Sequence, residues 1–222
     1  MTLRIAAALT LVLGAVALLG FLHLLGEGPF ATREARHLRA MKDRTDAPAS
    51  AMPVGFAAIE SLPGHRPLAE YAPLERRGVA IEGYVQYMLR ATDGDIHLEL
   101  QERLPPPGSS DHSYVTAEIT PRWTRGHRGW RYERLLQVFL PDNGGNVTTW
   151  GRAPRRVRIT GWLLYDWQYD ASLPLGRGTA RDRRASEHEA AGRRRVSAWE
   201  VHPVTRIEAW DDSLAAFVEV AR

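Results

Sequence analysis

Two hydrophobic periodicities divide the chain. From Ile5 to Leu25 the run IAAALTLVLGAVALLGFLHLL carries no Asp, Glu, Lys or Arg, and about 20 apolar residues is the length an α-helix needs to cross a hydrocarbon core of roughly 30 Å. It predicts a transmembrane signal-anchor over residues 1–25. A cleaved signal peptide has a shorter apolar core and a small-x-small site, which GFLHLLGEG does not supply. Residues 26–77 read as a connecting region, partly helical. ATREARHLRAMKDR suits a short amphipathic helix, on a membrane surface or in a solvated linker, and the Pro- and Gly-rich stretches after it suit extended connectors.

From Gly78 the period becomes two. VAIEGYVQYML predicts a first strand, with Gly83 marking a bulge or bend. The Asp-Gly of ATDGD then turns the chain into IHLELQE, a second strand, and YVTAEIT predicts a third. In GWRYERLLQVFL the apolar positions fall on one face of a short helix, which PDNGG ends. RRVRITGWLLYD and VSAWEVHPVTRIEAW predict the fourth and fifth strands. Three strands, a helix and two strands is the order of an OB-fold, so the expected domain, 78–222, is all-β with one short helix: a five-stranded OB-fold-like barrel after the N-terminal transmembrane helix. A β-sandwich is the rival, but it ordinarily takes about seven strands.

Composition narrows the chemistry. The 222 residues include no cysteine, which removes disulfides, thiolate metal sites and cysteine nucleophiles; any metal must be held by His, Asp or Glu. A net charge of +3 is too mild to imply nucleic acid, and the basic segment 171–195 reads as a solvated mobile loop. No Walker loop, Gly-x-Ser-x-Gly or His-Glu-x-x-His motif occurs. An anchored chain implies membrane lipid as partner of the N-terminal helix. The cluster Arg33, Arg36, Arg39, Lys42 and Arg44 favours a cytoplasmic C-terminal side. The helix's place at the N-terminus instead favours a single-pass inner-membrane protein with a periplasmic or extracellular domain.

The set DGDIHLEL, AEITP, VRITGWLLYD and WEVHPVTRIE resembles a group of uncharacterised exported bacterial OB-fold-like proteins with Asp-x-His-Leu, Ala-Glu-Ile, a Thr-Gly strand and Glu-x-His-Pro-Val. The likeness covers roughly Gly78 to Glu208 and implies a fold without naming an activity.

Alternation across a strand places Ile96, Leu98 and Leu100 on one face and Asp95, His97 and Glu99 on the other. In the same way Glu118 stands opposite Val115, Ala117 and Ile119, and Glu200 and His202 stand opposite Trp199 and Val201. With the apolar sets turned inward, the acids and histidines form an outer face. Asp95, His97, Glu99, Glu118, Glu200 and His202 are therefore the candidate ligand-binding residues. In an OB barrel the second, third and fifth strands adjoin, so His97, Glu118 and His202 converge as a candidate metal set, for which zinc suits the mixed nitrogen and oxygen donors. His beside carboxylate also suits general-base work, and cross-strand His–Glu pairs stabilise sheets without any activity. The principal reading is a membrane-anchored OB-type binding or assembly module for an envelope ligand or protein. A metal-dependent or acid-base hydrolase of envelope or nucleic-acid substrates and a structural envelope protein are the alternatives.

Overall fold

The structure, a computed structural model, describes residues 10–20, 31–91, 93–104, 112–125, 128–139, 155–170 and 193–221. They fall into two compact units, Met1–Asp43 and Arg44–Arg222. In the first, residues 10–20 form helix α1, and Arg33–Lys42 form α2, whose N-cap Thr32 accepts a hydrogen bond from the Ala35 N–H at 3.0 Å.

The expected membrane anchor is corrected here. No helix among the described residues is long and apolar enough to cross a membrane. The single-pass inner-membrane placement, with its periplasmic domain, is overturned with it.

The second unit begins with β1 (Met52–Val54), α3 (Phe56–Glu60) and α4 (Leu68–Tyr71). Pro67 caps α4 at its N-terminus, where a residue without an N–H costs nothing, so a proline expected to extend the chain starts a helix instead. Ile59 and Tyr71 join the hydrophobic core. Then come β2 (Gly78–Arg90), β3 (Ile96–Gln101), β4 (His112–Ile119), α5 (Pro121–Thr124) and α6 (Tyr132–Phe139). The chain closes with β5 (Arg156–Tyr165), β6 (Arg193–Arg195), β7 (Trp199–Asp211) and β8 (Ala216–Glu219). Of the basic segment 171–195, residues 171–192 lie outside the described residues, as does the PDNGG stop.

The all-β expectation with a single helix is also corrected. Among the described residues there are six helices and an eight-stranded mixed sheet in the order β6-β4-β3-β2-β5-β7-β8, with β1 added parallel to β2. Five strands, β2-β3-β4-β7-β5, pair in a ring, but β4 meets β7 at the single parallel pair Ala117↔Val201. The ring is part of a larger sheet with strands added at its edges, and it is not an OB-fold-like barrel.

Local signals explain much of the register. Gly94, at φ 94°, makes the β2–β3 turn, where the Ala91 N–H donates to the Asp95 carbonyl at 2.8 Å. Gly83 serves close approach: a Cβ there would lie 2.5 Å from the Gln101 carbonyl oxygen and 3.0 Å from the Phe56 ring. The bulge falls two residues later, between Val85 and Tyr87. Gly161 does the same for β5 and β7, whose register shifts beside it. A Cβ at Gly161 would collide with the Pro203 carbonyl and lie 2.8 Å from Val201 Cγ1. Gly161→Ala therefore forces these two strands apart, and urea denaturation of the full chain should show a loss of about 1–3 kcal/mol, the usual cost of overpacking.

Candidate metal centre

The residues singled out by alternation do not face water. Asp95, His97, Glu99, Glu118, Glu200 and His202 are all buried, with Glu99, Glu200 and His202 at 0% exposure. Sheet register brings them together. His97 is directly opposite Glu118 across β3 and β4, and the Ala117↔Val201 pair sets β7 beside β4 so that Glu200 and His202 share the face of Glu118. Asp95 joins from the turn before β3, where its backbone N–H donates to Asp93 Oδ1 at 3.3 Å.

Three carboxylates surround the His202 imidazole. Its Nδ1 lies 2.9 Å from Glu200 Oε1 and 3.1 Å from Glu118 Oε2, and its Nε2 lies 3.7 Å from Asp95 Oδ2. The other Glu118 oxygen lies 3.4 Å from His97 Nδ1, so this one carboxylate bridges two imidazoles. His97 Nε2 is 3.3 Å from Thr116 Oγ1. Glu200 Oε2 accepts from Arg195 Nη2 at 2.7 Å. Burial lowers the pKa of the Arg195 guanidinium, but the carboxylates of Glu200 and Asp166 outweigh that and hold it above its ordinary value.

Asp95, Glu118 and His202 form a group that can hold a metal ion. Each offers one donor atom, and the three atoms lie within 4.8 Å of one another. A carboxylate can only accept, so with Glu200 Oε1 and Glu118 Oε2 both beside Nδ1 the Nδ1–H tautomer satisfies that nitrogen and leaves the Nε2 lone pair on the side of Asp95. At zinc distances of about 2.1 Å to each atom two donors stand at most about 4.2 Å apart, and the 3.7 Å between Nε2 and Asp95 Oδ2 meets that limit. His97, expected in the metal set, instead braces Glu118 from its far side, and Asp95 takes its place. Glu99 sits further along β3, opposite Thr116, and is not in this group.

Arg195 escapes a reading of the sequence, which assigns it to a solvated basic loop. Nothing in GRRR distinguishes its third arginine; the signal is structural, since the parallel pairing of β6 with β4 sets Arg195 beside Tyr114. Arg195 also lines a cavity of about 350 Å³ with Leu62, Tyr165, Tyr169, Asp170 and Trp199. There the Tyr165 hydroxyl donates to Asp170 Oδ2, which also accepts from the His65 N–H at 3.0 Å. Desolvation and the Asp170 bond raise the Tyr165 pKa, so the phenol keeps its proton. A larger groove of about 800 Å³ lies over β2, β5 and β7, but its Glu82, Arg158, Arg206 and Glu208 already pair with one another. We place the site at His202 because the donors converge there, not where the larger volume is.

The tautomer argument is open to direct measurement. Long-range proton–nitrogen NMR of the metal-free chain should show neutral His202 protonated at Nδ1, against the usual preference for Nε2, and an Nε2–H signal would refute it. No protein-family model matches the chain and no curated protein matches it, so a function for this site has to be argued from its geometry.

Proposed function

We propose that the second unit is a divalent-metal-binding module, with zinc as its ion and Asp95, Glu118 and His202 as its donors. One observation carries the reading: three donors of the types that zinc takes, from three different stretches of chain, are brought within 4.8 Å of one another in a buried place. An ion there ties the β2–β3 turn, β4 and β7 together, and its binding energy becomes folding energy. Donor chemistry favours zinc over calcium or magnesium, which prefer six or more oxygens.

A metal-dependent hydrolase is the second reading, and it has its own support. Three protein donors leave a fourth position, the arrangement of catalytic zinc sites, where a bound water becomes a nucleophile. Exposures of 6% for Asp95, 4% for Glu118 and 0% for His202 favour binding over turnover, because a substrate must reach the ion.

Calorimetric titration of the full chain with zinc tests both. Wild type should bind one ion. Asp95→Ala and His202→Ala should each weaken binding by about 100-fold or more, whereas His97→Ala should cost roughly 10-fold, as loss of a group that only orients a ligand. Wild-type protein that takes up no zinc, or an Asp95→Ala variant that binds as well as wild type, sinks the assignment. Zinc-dependent cleavage of a chromogenic phosphodiester or ester moves it to the hydrolase.

A further inference from the structure

We infer that Glu200 and Arg195 are a positioning pair for His202, with Arg195 acting through the Glu200 carboxylate to aim the imidazole at the ion. The inference rests on the metal reading above and extends it to residues that are not donors themselves.

The two Glu200 oxygens divide the task. Oε1 lies 2.9 Å from His202 Nδ1 and accepts from it in the Nδ1–H tautomer, and Oε2 accepts from Arg195 Nη2 at 2.7 Å. A histidine ring turns readily about its second side-chain torsion, so a partner on Nδ1 sets both the tautomer and the direction in which Nε2 points. Glu118 also lies near Nδ1, at 3.1 Å, but it is claimed as a donor and by His97. Glu200 is the carboxylate left to orient the ring.

A carboxylate at 0% exposure is costly unless its charge is matched. Arg195 matches it and is itself anchored. Its Nε donates to the Ser197 carbonyl at 2.8 Å, and Nη2 reaches the Ala198 carbonyl at 3.4 Å. The backbone around it is held too, since the Val196 N–H donates to the Tyr114 carbonyl at 2.9 Å. A series of directed hydrogen bonds therefore runs from the β6 main chain through a guanidinium and a carboxylate to the metal-binding imidazole. Lysine cannot reproduce it, because one ammonium does not present the planar fork that serves Ser197, Ala198 and Glu200 together. Arg195 lines the cavity of about 350 Å³, and among the described residues its Nη1, buried, has no hydrogen-bond partner.

The test uses the full chain, zinc affinity by calorimetry and the visible spectrum of the cobalt-loaded protein. Circular dichroism of each metal-free variant establishes that it is folded. Glu200→Gln and Arg195→Ala should each weaken zinc binding by about 10- to 100-fold, the range for partners of metal-bound histidines, and should shift the cobalt bands, which a loss of general stability would not do. Arg195→Lys should recover part of the affinity. Millimolar guanidinium entering the cavity should restore Arg195→Ala toward wild type, and sodium at the same ionic strength should not. Should Arg195→Ala fail to fold, the near-isosteric Glu200→Gln decides alone. Wild-type protein that binds no metal overturns the metal assignment itself. Wild type that binds while Glu200→Gln stays within about 3-fold with unchanged cobalt bands leaves the metal site standing and overturns the positioning pair.

Discussion

A carboxylate buried between two imidazoles, that of Glu118, sets the terms on which β3, β4 and β7 share a face. Withdrawing an ion from water costs several kcal/mol even after relaxation, so Glu118 at 4% exposure needs partners on both sides. They come from register. His97 stands directly across from it on β3, and the Ala117↔Val201 pair brings β7 alongside so that His202 reaches its other oxygen. A slip of one residue in β4 would turn Glu118 into the apolar side with Leu98 and Val201 and turn Ile119 out among the charges. The pairing that builds the site is thus enforced by the cost of every neighbouring register.

Alternation made the membership of this face legible and its surroundings illegible. That Asp95, His97 and Glu99 share a side of β3 follows from the period of a strand alone, and the same holds for Glu118 and for Glu200 with His202. A polar side of a strand ordinarily faces solvent, so nothing local announced that this one is buried on both faces. The choice between His97 and Asp95 was not local either. It depends on where β7 crosses, a long-range fact expressed in one residue pair.

The remaining errors have the same origin. An apolar run reports where a helix would be stable in lipid, and hydropathy alone is all that segment 5–25 offers, whereas no helix among the described residues is long and apolar enough to cross a membrane. The proline at 67 was legible as part of an extended connector, whereas in the structure it stands at a helix start, a use set by the helix-forming residues on its C-terminal side. The five long strands, the β2–β3 turn and α6 were carried by strong local pattern and lie where it put them. Strands of three or four residues, such as β1, β6 and β8, have too few positions for a period to show, and they turned a five-strand expectation into an eight-stranded sheet.

Charge bookkeeping bears on why the face suits an ion better than a network of salt bridges. Around His202, Asp95, Glu118 and Glu200 carry three formal negative charges and Arg195 one positive charge, which leaves two (3 − 1). A protonated His202 offsets one of these; a divalent ion offsets both while the imidazole stays neutral and free to coordinate. The geometry agrees with the arithmetic. Arg195 is committed to Glu200 and to two main-chain carbonyls, so it cannot also serve Asp95, and the imidazole's Nε2 stops 3.7 Å short of that carboxylate, too far for a good hydrogen bond. That separation suits two donors sharing an ion better than a donor and an acceptor sharing a proton.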